Sequence, residues 1–185
     1  MDKALRQFGE RLEGANSSVF YYAGHGIQVN GTNYLLPVDA DLKHPKDLEW
    51  ESSSLSSVLR QMEGKDRVNI LFLDACRDNP LSETLARSLG NNRSVFIGRG
   101  LARVDANAGT LISYATKEGE VASDGKGDHS PYTQALLKHI GTPGLEVGLM
   151  LRRVRDQVRK STSEKQTPWE YGSLLGEFYF SGPLV

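Results

Sequence analysis

Cysteine is the residue that this chain most nearly lacks: its 185 residues include one, Cys76. A single thiol excludes an internal disulfide and a cysteine-rich zinc site, so any role of Cys76 is that of one sulfur. The chain also lacks a charge excess, because 22 basic side chains balance 23 acidic ones and leave a formal net charge of −1. That balance excludes a broad electrostatic surface for nucleic acid or for an anionic membrane.

Long hydrophobic runs are missing as well. No apolar stretch approaches the roughly 18 residues that a membrane span needs, and the charged amino terminus (MDKALRQFGERLEG) has no signal-peptide core. We therefore predict no membrane association, no nucleic-acid partner and a cytoplasmic location. The composition that remains, 38% hydrophobic and 24% charged, is typical of a single globular domain over residues 1–185.

Short β-rich runs alternate with amphipathic segments, which predicts an α/β domain with a mostly parallel sheet. Four apolar runs are predicted to be buried strands, at 19–23, 68–73, 110–115 and 178–180. Apolar stripes predict helices that contain or follow Leu5, Leu55, Ser130 and Val147. The segment 79–108 has weak periodicity and many turn residues, which indicates a long functional loop.

Two of the predicted strands lead directly into a reactive side chain. Gly24-His25-Gly26 follows the first strand, and Asp74-Ala75-Cys76 follows the second. The helix between them provides the crossover that makes the two strands parallel, and sites in such sheets form beyond the carboxyl ends of the strands. We expect His25 and Cys76 to lie together at one edge, where an imidazole can take the proton of a nucleophilic thiol.

The backbone around His25 is the second part of this prediction. Glycines on both sides of the histidine predict a tight turn and a close approach of the chain to a substrate. The N–H groups of Gly26 and Cys76 are the candidates for an oxyanion hole in an acyl-transfer reaction. A lone cysteine is more often a small buried hydrophobic residue, so it is the joint placement with His25 that favours catalysis.

The motifs around these residues resemble a known family. The spacing 76 − 25 = 51 fits the caspase arrangement of a histidine about 50 residues before the cysteine. YYAGHG and DACRD resemble the histidine and cysteine motifs of caspases, metacaspases and paracaspases, and NYLLPVDA, TLISYAT, SPYTQALL and TPWEYGSLLGEFYF are similar to the bacterial branch, the orthocaspases. The resemblance extends from about Val19 to Phe180. It implies a caspase-like three-layer sandwich and a cysteine endopeptidase with a His25–Cys76 dyad.

The resemblance also implies a substrate preference. Aspartate-specific caspases have glutamine two residues before the nucleophile, and this chain has Asp74 there. In metacaspases and paracaspases an acid at that position lines the primary pocket, where a carboxylate repels aspartate and bonds a guanidinium. We predict protein or peptide substrates cleaved after Arg, with Lys second; the alternative is that Asp74 caps the following turn. Paracaspases supply a second acid after the third strand, for which Glu120 is the candidate.

Two further roles are expected from this family pattern. The segment Ser113, Tyr114 and Ala115 is predicted to bind substrate, because in this fold its strand edge pairs with the bound peptide as an added strand. Self-cleavage between the large and small portions of the domain is predicted in the loop 79–108. Four arginines in that loop are the processing candidates: Arg87, Arg93, Arg99 and Arg103.

Metal binding has little support in the sequence. The acid pairs Asp39 and Asp41, and Asp124 and Asp128, lack the spacing of a calcium loop such as an EF-hand. Turn chemistry is therefore the preferred interpretation of both pairs. Calcium activates many metacaspases, but the spacing gives it no support here, and we predict that no cofactor is required.

The chain departs from the family pattern at its amino terminus. Relatives have a strand–helix–strand unit before the helix that precedes the histidine strand, whereas here the sequence opens on that helix. Two explanations are open: the sequence is a fragment of a longer protein, or the strand 19–23 has an uncovered edge, open to pairing with another chain. Two alternatives to a protease remain: a catalytically silent caspase-like interaction module, and a different thiol acyl-transfer enzyme on an α/β sheet.

Overall fold

The computed structural model describes residues 1–76, 85, 97–98, 101–104, 107–118, 120 and 122–182, with Cys76 described through its backbone. The strands are β1 (Ser17–Val29), β2 (Thr32–Leu36), β3 (Ser53–Ser54), β4 (Val68–Cys76), β5 (Ile97–Gly98), β6 (Thr110–Tyr114) and β7 (Trp169–Gly172). The helices are α1 (Asp2–Arg11), α2 (Leu48–Glu51), α3 (Leu55–Met62), α4 (Pro131–His139) and α5 (Val147–Ser161), with a 3₁₀ turn at Pro45–Asp47.

The sheet has a parallel centre and antiparallel margins. β4 lies between β1 and β6 and is parallel to both. The shorter strands β2, β3, β5 and β7 all pair in the antiparallel sense, in the order β3-β2-β1-β4-β6-β7 with β5 also on β1. The sheet is therefore mixed, and the expectation of a mostly parallel sheet holds for its three central strands.

Helices cover both faces of this sheet. Successive residues of a strand point to opposite faces, so Ile70 and Phe72 of β4 join the core under α4 and α5, while Leu71 and Leu73 join the core under α1 and α3. Four of these helices, α1, α3, α4 and α5, form where the apolar stripes of the sequence predict helices. The predicted α/β three-layer sandwich is confirmed.

The histidine strand is longer than its sequence pattern indicates. β1 continues through His25 to Val29, and the chain then reverses into β2 through Asn30 and Gly31, whose φ values are 50° and 81°. Two consecutive residues with positive φ form the tight hairpin turn that asparagine–glycine pairs favour. His25 consequently lies within a strand rather than in the loop after one.

The predicted strand at 178–180 is wrong. Phe178 and Phe180 pack against the core under α4 and α5, and Tyr179 makes one isolated bridge to Glu146. The last strand is instead β7, which follows Pro168 and pairs with β6. The apolar run therefore covers the hydrophobic core from outside the sheet, a role that periodicity alone does not distinguish from a buried strand.

The segment 79–108, predicted to be a loop, supplies ordered elements where it is described. β5 pairs with Gln28 and Val29 of β1, and Leu85 is fully buried in a core cluster. The buried side chain of Asn33 accepts a hydrogen bond from the Ala102 N–H and donates one to its carbonyl, both at 2.7 Å. These contacts attach parts of the segment to β1 and β2.

One edge of the sheet is uncovered within the described part of the chain. β2 pairs with β1 only from His25 onward, so no described strand pairs with the outer edge of β1 from Ser17 to Gly24. Val19 and Tyr21, on the face of the sheet toward α4, are 41% and 47% exposed. Pairing of this edge with another chain stays a prediction.

Within the described ranges no helix is long and apolar enough to cross a membrane.

Candidate active site

The register of β1 against β4 brings the two reactive positions together. His25 and Cys76 are direct partners in the parallel ladder, and Ala23 and Asp74 are partners two residues earlier. Because side chains alternate along a strand, Ala23, His25 and Asp74 lie on one face, the face that α4 covers. His25 is exposed there, whereas Asp74 is 8% exposed.

The glycines beside His25 are required by packing rather than by a turn. Neither Gly24 nor Gly26 has a positive φ, and β1 continues through both of them. A Cβ atom on Gly24 would lie 2.7 Å from the Tyr22 hydroxyl, and one on Gly26 would lie 2.8 Å from Leu101. The predicted tight turn is therefore wrong: the strand needs glycine here because Tyr22 and Leu101 occupy the space of a side chain.

Tyr22 supports the backbone of the histidine from the opposite face. Its hydroxyl lies 2.7 Å from the His25 carbonyl and 2.8 Å from the Leu36 carbonyl, so its proton serves both, and it accepts a hydrogen bond from the Leu36 N–H at 3.1 Å. Burial raises the pKa of Tyr22 to about 12, which keeps the hydroxyl a donor at neutral pH. Tyr22 thus bridges β1 and β2 where their pairing begins.

The ladder also directs the Gly26 N–H. Val29 faces Thr32 across the two-residue turn, and the pairs alternate between hydrogen-bonded and non-hydrogen-bonded along an antiparallel ladder. Gly26 falls on a non-hydrogen-bonded position opposite Leu35, so its N–H is directed away from β2, toward the side of β4. That is the side on which the oxyanion hole is predicted.

A cleft of about 280 Å³ opens beside His25, and it is termed the acidic cleft. Two strands and the chain that leads into α4 line it: Tyr21, Ala23, Gly24 and His25 from β1, Asp74 from β4, and Asp124, Asp128, His129, Ser130 and Thr133. Three of these ten described residues are carboxylates and none is lysine or arginine. The cleft therefore attracts a cation.

Asp74 is the buried acid of the acidic cleft. Its Oδ2 accepts hydrogen bonds from the hydroxyls of Ser130 and Thr133. Burial raises the pKa of Asp74 above its ordinary value, the two hydroxyls oppose that rise by stabilising the charged form, and the charge of Asp124 adds to it. These bonds lead to α4; the alternative interpretation of Asp74, as a cap for the turn after β4, concerns residues outside the described part of the chain and stays open.

The opposite wall of the cleft is a braced loop over residues 122–130. The buried amide of Gln166 accepts a hydrogen bond from the Ser123 N–H at 3.0 Å and donates one to the Ala115 carbonyl at 2.8 Å. Gln134 donates to the His129 carbonyl at 2.9 Å. Gly125, with φ of 78°, allows the chain to turn back toward His129. The sequence predicts turn residues at Asp124 and Asp128, and the structure also places both in the lining of the cleft.

Comparison with known proteins identifies the architecture. A family model described as the caspase domain matches residues 1–179. The chain belongs to the caspase family. Caspase domains are cysteine peptidases, which gives the catalytic class of the chain. A crystal structure of caspase-1 from Spodoptera frugiperda matches with a TM-score of 0.58 and 13% sequence identity, over 98% of this chain and 73% of that chain. It is one of 208 matching chains of solved structures, and no curated protein sequence matches significantly.

The caspase sheet leaves little room at the residues predicted to pair with substrate. Ser113 and Tyr114 are buried, and both edges of β6 are occupied there, by β4 and by β7. The Ala115 N–H donates to the Leu73 carbonyl at 3.0 Å, and the Ala115 carbonyl accepts from Gln166. An added strand therefore has room only after Ala115, so backbone pairing of a peptide with Ser113 or Tyr114 is excluded by this register.

Glu120 lies in the segment after β6 and does not line the acidic cleft. Its carboxylate is exposed and accepts a hydrogen bond from Thr116 at 3.4 Å. The acids that line the cleft on that side are Asp124 and Asp128. The spacing of an acid from the strand could not distinguish these positions, because the loop that carries them folds back over the cleft.

One of the four processing candidates, Arg103, lies among the described residues. Arg87, Arg93 and Arg99 lie outside the described residues. Arg103 is exposed, and its guanidinium lies 4.9 Å from the centre of the Tyr171 ring. The neighbouring Ala102 is buried and bonded to Asn33, so cleavage after Arg103 requires these contacts to break.

Among the described residues no group of three or more histidine, cysteine, aspartate or glutamate side chains could hold a metal ion.

Proposed function

We propose that this caspase-family chain is an endopeptidase that cleaves after arginine, and secondarily after lysine, through His25 and Cys76. One observation carries the preference: the buried carboxylate of Asp74 lines the same cleft as His25. With Asp124 and Asp128 at the rim, the cleft offers a basic side chain charge-assisted hydrogen bonds and repels an aspartyl side chain. The DACRD motif that carries Asp74 also favours the bacterial orthocaspase branch over aspartate-specific caspases.

The chemistry follows from the ladder positions. The Cys76 sulfur attacks the carbonyl carbon of the scissile bond while His25 takes the thiol proton, and the oxyanion accepts hydrogen bonds from the N–H groups of Gly26 and Cys76. His25 then gives its proton to the leaving amine as the C–N bond breaks, which leaves a thioester. Water hydrolyses the thioester, with His25 as the base. Adjacent strands lie about 4.8 Å apart, close enough for side chains at paired positions to share a proton.

A panel of fluorogenic peptides tests this function. Peptides that differ only in arginine, lysine, glutamine or aspartate before the scissile bond are compared on the wild-type chain and on Cys76→Ala. We expect turnover in the order arginine, lysine, then glutamine, none with aspartate, and none from Cys76→Ala. Aspartate-selective turnover would overturn the pocket assignment.

The same panel separates the alternatives. Silence with every peptide, from a folded protein, would favour an interaction module. Turnover of a thioester or ester without peptide hydrolysis would favour another thiol acyl-transfer enzyme. Both results would count against an endopeptidase.

Self-cleavage is the second part of the proposal. We expect the purified chain to cut itself after Arg87, Arg93 or Arg99 in preference to Arg103, because the neighbouring Ala102 exchanges two hydrogen bonds with the Asn33 side chain. Mass spectrometry of the fragments identifies the sites. Nicking that persists in purified Cys76→Ala would show that another protease makes the cuts.

A further inference from the structure

The start of α4 contacts Asp74, the acid of the proposed specificity pocket, through the hydroxyls of two residues of its first turn. Ser130 is the N-cap of α4, and its oxygen accepts a hydrogen bond from the Thr133 N–H at 3.0 Å. The same hydroxyl donates to Oδ2 of Asp74, as does the hydroxyl of Thr133. One helix turn is therefore joined to β4 at the acid that precedes the nucleophile position by two residues.

The direction of the protons can be deduced from the number of donors. A threonine hydroxyl carries one proton, and that of Thr133 goes to the Asp74 carboxylate, which accepts only. The contact of 2.7 Å between the hydroxyls of Tyr21 and Thr133 must then have Tyr21 as its donor. The resulting chain runs from Tyr21 to Thr133 to Asp74, and Ser130 donates to the same oxygen from the other side.

We propose that Ser130 and Thr133 are positioning residues for substrate selection: their hydroxyls hold Asp74 through Oδ2 and keep its carboxylate directed at the substrate cation. This inference rests on the proposed function, because it assigns a role within the cleft that would bind arginine or lysine. Two donors on one oxygen restrict rotation of the carboxylate. They therefore fix where a guanidinium must sit relative to His25.

The surroundings of Asp74 show why such support matters. The groups that face it are Tyr21 and His25 from β1, and Asp124, Asp128 and His129 from the loop. From the α4 side the buried Tyr132 also interacts with its charge. Burial and Asp124 both favour the protonated form of Asp74, and the two hydroxyls are the groups that oppose them. Loss of a hydroxyl should therefore extend the protonated, non-binding form to higher pH.

Thr133→Val tests the inference, with Thr133→Ser as the matched control. Valine keeps the branched shape and removes the hydroxyl, whereas serine keeps the hydroxyl. For an arginine peptide we expect Thr133→Val to raise KM about tenfold with little change in kcat, and to move the rise of KM at low pH toward higher pH. Thr133→Ser should restore both toward wild type.

Two readouts separate this inference from the proposed function. Benzamidine, an amidinium that mimics the arginine side chain, should inhibit Thr133→Val about tenfold more weakly than wild type. Alkylation of Cys76, the single thiol, by iodoacetamide should proceed at the same rate in both proteins. If wild type hydrolyses no arginine peptide, the proposed function fails; if it does and Thr133→Val leaves KM, its pH profile and benzamidine inhibition unchanged, the positioning role fails.

Discussion

The two walls of the acidic cleft are built in different ways. The wall of β1 and β4 is a backbone ladder, in which nine consecutive residue pairs fix the place of His25 against Cys76. In the wall of residues 122–130 the described residues form no ladder, and this wall is held by side-chain hydrogen bonds that involve Gln134, Gln166, Ser130 and Thr133. A ladder fixes positions to one register. The first wall therefore suits the proposed chemistry, and the second is where single side chains would change the proposed substrate preference.

The largest effect should come from the ladder wall, and it separates the two histidines of the cleft. His25→Ala removes the proposed base and should lower kcat/KM for an arginine peptide by about 10²–10⁴-fold. His129→Ala, on the loop wall, should retain activity within a few-fold. Steady-state kinetics of the two variants make the measurement. Equal losses in both, or a loss confined to His129→Ala, would move the base to the loop.

The next effect concerns the buried acid that links the two walls. Asp74→Asn keeps the shape of the side chain but removes its charge, and a hydrogen bond to a charged group contributes about 1.5–3 kcal/mol. We expect kcat/KM for arginine peptides to fall about 10- to 100-fold, with a much smaller change for a glutamine peptide. A uniform loss across all peptides would indicate a structural role for Asp74 instead of a selective one.

The contrast between the two walls also explains which parts of the fold and the cleft the sequence predicts. The alternation of apolar runs and the crossover helix sufficed to place His25 beside Cys76, because ladder pairing depends on local pattern and chain direction. Asp124 and Asp128 are 48 to 54 residues from Asp74 and Cys76 in sequence, and side-chain bonds place their loop. The hydrophobic periodicity of a sequence carries no information about such side-chain bonds, so it does not predict where this loop lies. The sequence predicts that Gly24 and Gly26 form a tight turn. The structure requires glycine at both positions for a different reason, because Tyr22 and Leu101 leave no room for a side chain.

A third prediction tests whether the ladder wall depends on its glycines. Gly26→Ala places a Cβ 2.8 Å from Leu101 and 3.3 Å from Ala75, and overpacking of this kind costs about 1–3 kcal/mol. Thermal unfolding should show a melting temperature lower by several degrees. Gly176→Ala is the matched control, because no neighbouring atom lies within 4 Å of its added Cβ. An equal shift in both variants would contradict the packing argument.

The smallest effect is expected at the rim of the loop wall. Asp124→Asn removes an exposed charge, and exposed ion pairs contribute about 0.2–1 kcal/mol. We expect KM for arginine peptides to rise by no more than about fivefold, and the difference from wild type to shrink as salt is added. Glu10→Gln, an exposed acid on α1 on the other face of the sheet, should leave KM unchanged. A salt-independent loss at Asp124 would point to a direct, desolvated contact with substrate.

The amide of Gln166 gives the cleft a remote anchor. Gln166 is buried after α5. Its amide joins the Ala115 carbonyl, at the end of β6, to the Ser123 N–H in the loop 122–130. Because both of its bonds are made by one planar group, the loop cannot shift without either losing a bond or moving the chain after α5. Under the proposed function, the place of Asp124 and Asp128 at the substrate thus depends on a residue, Gln166, that does not itself line the acidic cleft.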